Sequence, residues 1–168
     1  MEDLIALVAA TAGIASHLLY FNRGEHHMHG LRYVQAFILF TFTSVLALHK
    51  LLNHDLSDAL VTVLVTEGYY FAGLYSSLVL WRLCLNPSNR IPGPFIARLS
   101  SFWWTFHIGM ESRAFLKAQK LHAKYGSFVR IGPNVVSIAH PDGPNLLYGP
   151  GSRCRKAAWC VSAGFNAP

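Results

Sequence analysis

Few side chains in this sequence could carry chemistry, and they are scattered. Three cysteines, Cys84, Cys154 and Cys160, could act as thiolate ligands or nucleophiles. Their odd number and spacing form neither a metal knuckle nor a disulfide framework, and a reducing, cytosolic setting suits them. Cys84 closes a long apolar run, where a plain buried or interfacial thiol is expected and reversible acylation is the alternative. His26, His27 and His29 lie beside Gly24 and Gly30; a solvated loop is expected there, with a metal site as the alternative. Glu67 is the one charge inside an apolar run. Such a group is a functional hypothesis by default, because burying its charge is costly. With no second ionisable residue at comparable depth in the other runs, a protonated or interhelically hydrogen-bonded carboxyl is expected, not a transport or relay role. No Ser-His-Asp signature, phosphate-cradling glycine loop or paired-carboxylate motif accompanies these residues.

The elements that would position them are mostly apolar. Of 168 residues, 52% are hydrophobic and only 13% charged, too apolar for an ordinary soluble domain. Three runs, residues 4–21, 33–48 and 59–81, read as transmembrane helices. The second is the shortest and carries Gln35, Thr41, Thr43 and Ser44, whose polar groups can bond to helix carbonyls or neighbouring helices; a buried or re-entrant helix is its alternative. Gly68 and Gly73 allow close helix approach in the third. The acidic start, Glu2-Asp3, and the lack of a small-residue cleavage pattern argue against a cleaved secretory signal. The net charge of +6 comes partly from Arg23, Arg32, Lys50, Arg82, Arg90 and Arg98, which flank the apolar runs. Positive charge there is a topology signal, so a lipid bilayer is the expected partner and nucleic acid is not. The distribution places the N-terminus in the lumen and the residues after the third run in the cytosol.

At Asn89-Arg90-Ile91-Pro92-Gly93-Pro94-Phe95-Ile96-Ala97-Arg98-Leu99 the sequence changes character. Pro92 and Pro94 each remove a donor and extend the residue before them, so the residues singled out as a stiff hinge are Pro92, Gly93 and Pro94. Beyond it, Phe102, Trp103 and Trp104 suit either a membrane interface or packing beneath a soluble unit. Residues 110–125 read as a helix with Met110, Ala114, Ala118, Leu121 and Tyr125 on one face. Arg113, Lys117, Lys120 and Lys124 form a basic stripe, and Gly126 is the stop. Residues 128–131 and 135–138, joined by Gly132-Pro133-Asn134, read as a hairpin, which needs further strands or a helix to be stable. A short helical segment ends near Tyr148-Gly149.

The hinge, Leu121-His122-Ala123-Lys124-Tyr125-Gly126, Val129-Arg130-Ile131-Gly132-Pro133-Asn134, Tyr148-Gly149-Pro150-Gly151-Ser152 and Lys156-Ala157-Ala158-Trp159 follow one another in an order that resembles the beginning of a microsomal fungal cytochrome P-450 monooxygenase. The resemblance implies a multi-span α-helical membrane anchor followed by a truncated α+β fragment, helix plus β-hairpin, of a cytochrome P-450-like fold. It divides the chain into a membrane region (1–85), the hinge (86–99), a fragment of the catalytic domain (100–159) and an unstructured tail (160–168). For the full-length family it implies endoplasmic reticulum membrane, haem, an electron-donating reductase, and oxygen-dependent hydroxylation of small organic substrates, including secondary metabolites.

In that family the haem thiolate lies in a glycine-rich loop introduced by phenylalanine, preceded by a Glu-x-x-Arg pair and an acidic-Thr helix. No Glu-x-x-Arg occurs here. Gly151-Ser152-Arg153-Cys154 lacks the phenylalanine and the spacing, so Cys154 is not expected to bind haem iron. The chain is therefore expected to be an inactive N-terminal fragment, with no catalytic, cofactor-binding or metal residue assigned. The alternative is a small multi-span membrane protein acting as an interaction or targeting module.

Overall fold

Long apolar runs can satisfy their backbone in lipid only as helices, and the first half of the chain is built that way. The computed structural model describes residues 2–24, 26–111, 114–152 and 154. The described residues fall into two compact units, one within Met1–Leu78 and the other within Val79–Lys156.

In the first unit, α1 (Glu2–Ser16) starts with two acidic residues, which complement the positive end of the helix dipole. It runs into a wider π-helical turn, His17–Phe21. Helix α2 (Gly30–Leu51) ends with His49 and Lys50, the charge sign its C-terminus favours. Asn53 then takes a left-handed conformation, φ 54°, a role asparagine tolerates best after glycine, and His54 N–H bonds back to Leu48 O at 3.3 Å. Helix α3 (Leu56–Leu80) begins shortly after and extends through a π-helical turn, Trp81–Leu85. Among the described residues three helices, Glu2–Phe21, Gly30–Leu51 and Leu56–Leu85, are long and apolar enough to cross a membrane. Each is longer than the apolar run that announces it, because helix continues through polar flanks such as Arg32 and Arg82. Leu4, Leu19, Leu31, Phe42 and Leu60 point outward, an apolar surface suited to hydrocarbon and not to water.

Close approach of α1 and α3 rests on two glycines. A Cβ at Gly73 would lie 2.1 Å from Ala10 O, and one at Gly13 would lie 2.1 Å from Tyr70 O. Gly68 faces open space, so of the two glycines expected to permit packing only Gly73 does, and Gly13 supplies the other half. A second link joins the same helices: His17, buried, bonds through Nδ1 to Ser77 Oγ at 2.9 Å. Thr41, Thr43 and Thr66 bond back to carbonyls one turn earlier, as hydroxyls in apolar helices do.

In the second unit, Asn86 caps a 3-10 turn, Pro87–Arg90, its Oδ1 accepting from Ser88 N. An extended stretch follows to Pro94, then α4 (Phe95–Leu99). Helix α5 (Phe102–Glu111) and helix α6 (Ala114–Tyr125) come next. The single helix expected over 110–125 is thus met by two described helices; Ser112, Arg113 and the side chains of 107–114 lie outside the described residues. Ahead of α5 Ser100 Oγ accepts the Phe102 N–H, and the Ser101 carbonyl accepts from Trp104 N and Thr105 N to open the first turn. In α6 Ala118, Leu121 and Tyr125 are half-buried, while Lys120 and Lys124 are exposed. Lys117 is not part of a free basic stripe, since its Nζ sits 5.7 Å from the Trp103 ring centroid. Gly126, at φ +95°, ends α6 as expected.

Strands β1 (Phe128–Gly132) and β2 (Val135–Ile138) form an antiparallel hairpin with a register shift between Arg130 and Gly132. Helices α4, α5 and α6 all touch β1, the cover a lone hairpin requires. Helix α7 (Gly143–Tyr148) closes the described fold; the tail expected over 160–168 lies outside the described residues.

The glycine contact is directly testable. Gly73→Ala should cost about 1–3 kcal/mol by forcing α1 away, whereas Gly68→Ala should be neutral or stabilising by up to about 1 kcal/mol. Thermal unfolding in detergent, followed by circular dichroism, reads both; equal midpoints would remove the contact from the account.

Candidate functional site: the buried arginine at the Pro-Gly-Pro segment

The proline-rich segment is held by the hairpin. Pro92 cannot donate a backbone hydrogen bond, but its carbonyl can accept one, and it takes the Arg130 N–H at 2.9 Å. Gly93 lies against the same strand: a Cβ there would come within 2.3 Å of Arg130 O, so no other residue fits without a shift. Pro94 (φ −59°, ψ 138°) leads into α4 and accepts from Ala97 N at 3.1 Å; Ala97 is fully buried.

Arg130 itself is the unusual member. Most arginines stay at the surface, yet this one is 1% exposed. Its guanidinium fork spreads over three neutral oxygens: Nε to Gly132 O at 3.1 Å, Nη2 to Pro133 O at 2.6 Å, and Nη1 to Asn89 Oδ1. Asn89 in turn donates to Leu83 O at 2.9 Å. Asn86, also buried, donates to Pro133 O at 3.2 Å and to Asn134 Oδ1 at 2.9 Å. Residues 83–94 are thereby fastened to the turn of the hairpin by side chains on both partners. No carboxylate is among the partners that the described residues give Arg130. Burial, and then the charges of Arg98 and Arg82, hold its pKa below the usual arginine value, although an arginine remains charged. The hydrogen bonds must offset that desolvation.

Asn89 and Arg130 stand in two of the stretches that carry the family resemblance, but nothing in the sequence pairs them, and Asn86 carries no motif. The one available signal was a charge in the middle of an otherwise apolar, β-favouring run.

The remaining candidates lie apart from it. His26 is half-buried, bonding through Nδ1 to Tyr33 Oη at 2.8 Å and packing on the Tyr20 ring; it belongs to an aromatic corner and not to the solvated loop expected of it. Glu25 and the His27 side chain lie outside the described residues, among which no group of metal ligands gathers. Glu67 is 7% exposed and accepts from Thr41 Oγ1 at 2.7 Å, the interhelical bond anticipated for it. Cys84 and Cys154 are both exposed, so the buried reading of Cys84 is set aside. Lys156, Ala157, Ala158, Trp159 and Cys160 lie outside the described residues.

Neither described thiol suits haem. An axial cysteine needs an apolar pocket lined from several elements. Three clefts of the first unit are lined, among the described residues, without cysteine, and Cys154 lies on the surface with its N–H on Ser152 Oγ. Arg130, the cation best shaped to meet a propionate, is already closed in by its own chain's oxygens.

The network makes a stability prediction. Arg130→Met removes the donor that Gly132 O, Asn89 Oδ1 and Pro133 O share, leaving Pro133 O to Asn86 alone, and should cost roughly 3 kcal/mol. Arg130→Lys keeps the charge but not the planar fork. Both should accelerate proteolysis between residues 86 and 94. Variants as resistant as the parent would show that the apolar cover of β1 suffices alone.

No protein-family model matches the chain, and no solved structure does. Relatives are nevertheless clear. The chain is 39% identical over 161 residues to the cytochrome P-450 monooxygenase notG' of Aspergillus versicolor, covering 94% of this chain and 29% of that protein. It is 38% identical to the cytochrome P-450 monooxygenase lcsK of Purpureocillium lilacinum, over 95% of this chain and 29% of the relative. Tryprostatin B 6-hydroxylase of Aspergillus fumigatus matches at 38% identity over 88% of this chain and 27% of its own length. The chain thus spans less than a third of the length of these relatives. Over nearly its whole length the chain matches an N-terminal portion of fungal cytochrome P-450 monooxygenases.

Proposed function

We propose that this chain is the membrane-anchoring and entry portion of a haem-thiolate monooxygenase of the endoplasmic reticulum. Helices α1, α2 and α3 cross the bilayer with the N-terminus in the lumen. Pro92, Gly93 and Pro94 act as a hinge on the cytosolic side, where an electron-donating reductase meets such enzymes. The observation that carries this reading is the match of nearly the whole chain to one end of cytochrome P-450 monooxygenases. The full enzyme hydroxylates a small organic secondary metabolite, by analogy with the relative named as a tryprostatin B hydroxylase. Oxygen activation belongs to haem held elsewhere in that enzyme, and residues 1–168 contribute insertion, orientation and the first covered hairpin.

Two measurements test the proposal. Glycosylation tags placed before Leu4 and after Pro168 should be modified only at the N-terminal site; modification of the C-terminal tag reverses the orientation. Residues 1–168, purified and supplied with haem, should give no thiolate-type Soret band in the ferrous carbon monoxide difference spectrum. Such a band, lost in Cys154→Ser, would place the axial ligand in this chain and overturn the assignment of roles.

A further inference from the structure

Glu67 sits about 16 Å along α3 from Leu56, at about 1.5 Å per residue, which places it near the middle of a hydrocarbon core of about 30 Å. Its Oε1 is taken by Thr41, but its Oε2 is buried with no hydrogen-bond partner among the described residues. A buried polar atom left so is uncommon, and at mid-membrane neither lipid chains nor bulk water can satisfy it.

The carboxyl also stands at the junction of two apolar clefts. One, of about 460 Å³, runs from Glu67 past Val63, Ser44 and Leu48 towards Ile5. The other, of about 380 Å³, continues past Phe37 and Tyr70 to Ala9. Phe40, Thr66 and Glu67 line both. Each volume is of the size that holds small ligands, and spaces between bundled helices are a common place for them. No residue of α2 is fully buried, so this helix leaves room along its length.

We propose that the two clefts together hold one elongated lipophile with a single hydrogen-bonding group, a hydroxyl or N–H, midway along an apolar body. The apolar arms would occupy the two clefts and the polar atom would meet the Glu67 carboxyl. The last torsion of a glutamate side chain is broad, so a turn of the carboxyl would bring the buried Oε2 to the junction. A hydroxyl suits the position because it can donate to a carboxylate or accept from a carboxylic acid. A phospholipid acyl chain could fill the space but would leave Oε2 without a partner. This site is separate from haem chemistry and does not depend on it.

The test uses residues 1–168 in phosphatidylcholine nanodiscs with two photoreactive probes, octadecan-9-ol and octadecane, each carrying a diazirine near one end. The alcohol should label peptides containing Phe40 and Thr66 about tenfold more than the alkane, the ratio expected for one hydrogen bond. Glu67→Leu should abolish that preference, and Glu67→Gln, whose amide both donates and accepts, should keep it. Equal labelling by the two probes in the parent chain would mean that only lipid chains fill the clefts, and would overturn the proposal. A preference that survives Glu67→Leu would overturn it as well.

Discussion

A guanidinium taken out of water must find oxygen for its donors, and Arg130 finds it in the backbone of its own turn and in Asn89. That requirement shapes the second unit. The register shift between Arg130 and Gly132 bends β1 so that the Gly132 and Pro133 carbonyls face back towards the fork. Asn86 then doubles the link by donating to the Pro133 carbonyl as well. Because the donors are fixed in a plane, the acceptors cannot drift independently. Gly93 follows from the same demand, since only a residue without Cβ lets the chain lie this close to Arg130 O.

The three helices of the first unit, long and apolar enough to cross a membrane, answer a different constraint, since such a setting offers backbone and side chains no water. Helical bonding disposes of the backbone, and threonine hydroxyls fold back onto carbonyls. The groups that cannot be disposed of locally, His17 and Glu67, reach across to Ser77 and Thr41. Lipid offers no hydrophobic drive for helices to associate, so packing and such bonds carry the association. Gly13 and Gly73 give α1 and α3 the close packing, whereas α2 is tied more sparsely and leaves the clefts beside Glu67.

Both solutions use buried polar groups chiefly to hold the chain together. Both described thiols, Cys84 and Cys154, are exposed; Asn86 and Arg130 are taken up in holding backbone, whereas Glu67 keeps one oxygen without a partner among the described residues. Arg130 illustrates the distinction. Its burial and lowered pKa would elsewhere suggest a functional cation, but its donors are turned wholly inward on the chain that carries it.

Periodicity and composition were enough to read three apolar helices, the Gly-Pro-Asn hairpin and the helix stopped by Gly126, because those signals are local. The proline-rich segment was equally legible, since proline acts on its own backbone wherever it stands. What escaped were partners distant in sequence. Asn86 and Asn89 read as loop polars until Pro133 and Arg130 are placed beside them, more than forty residues on. Gly13 and Gly68 look alike in sequence, and only the crossing of α1 with α3 makes the first indispensable and leaves the second idle. Nothing in the sequence marks His17 until Ser77 is placed beside it. The helix at Phe102–Glu111 is not legible in sequence, because its aromatics argue weakly for any one structure. Local backbone chemistry is written residue by residue, whereas the choice of which polar atom satisfies which is made only when the chain closes on itself.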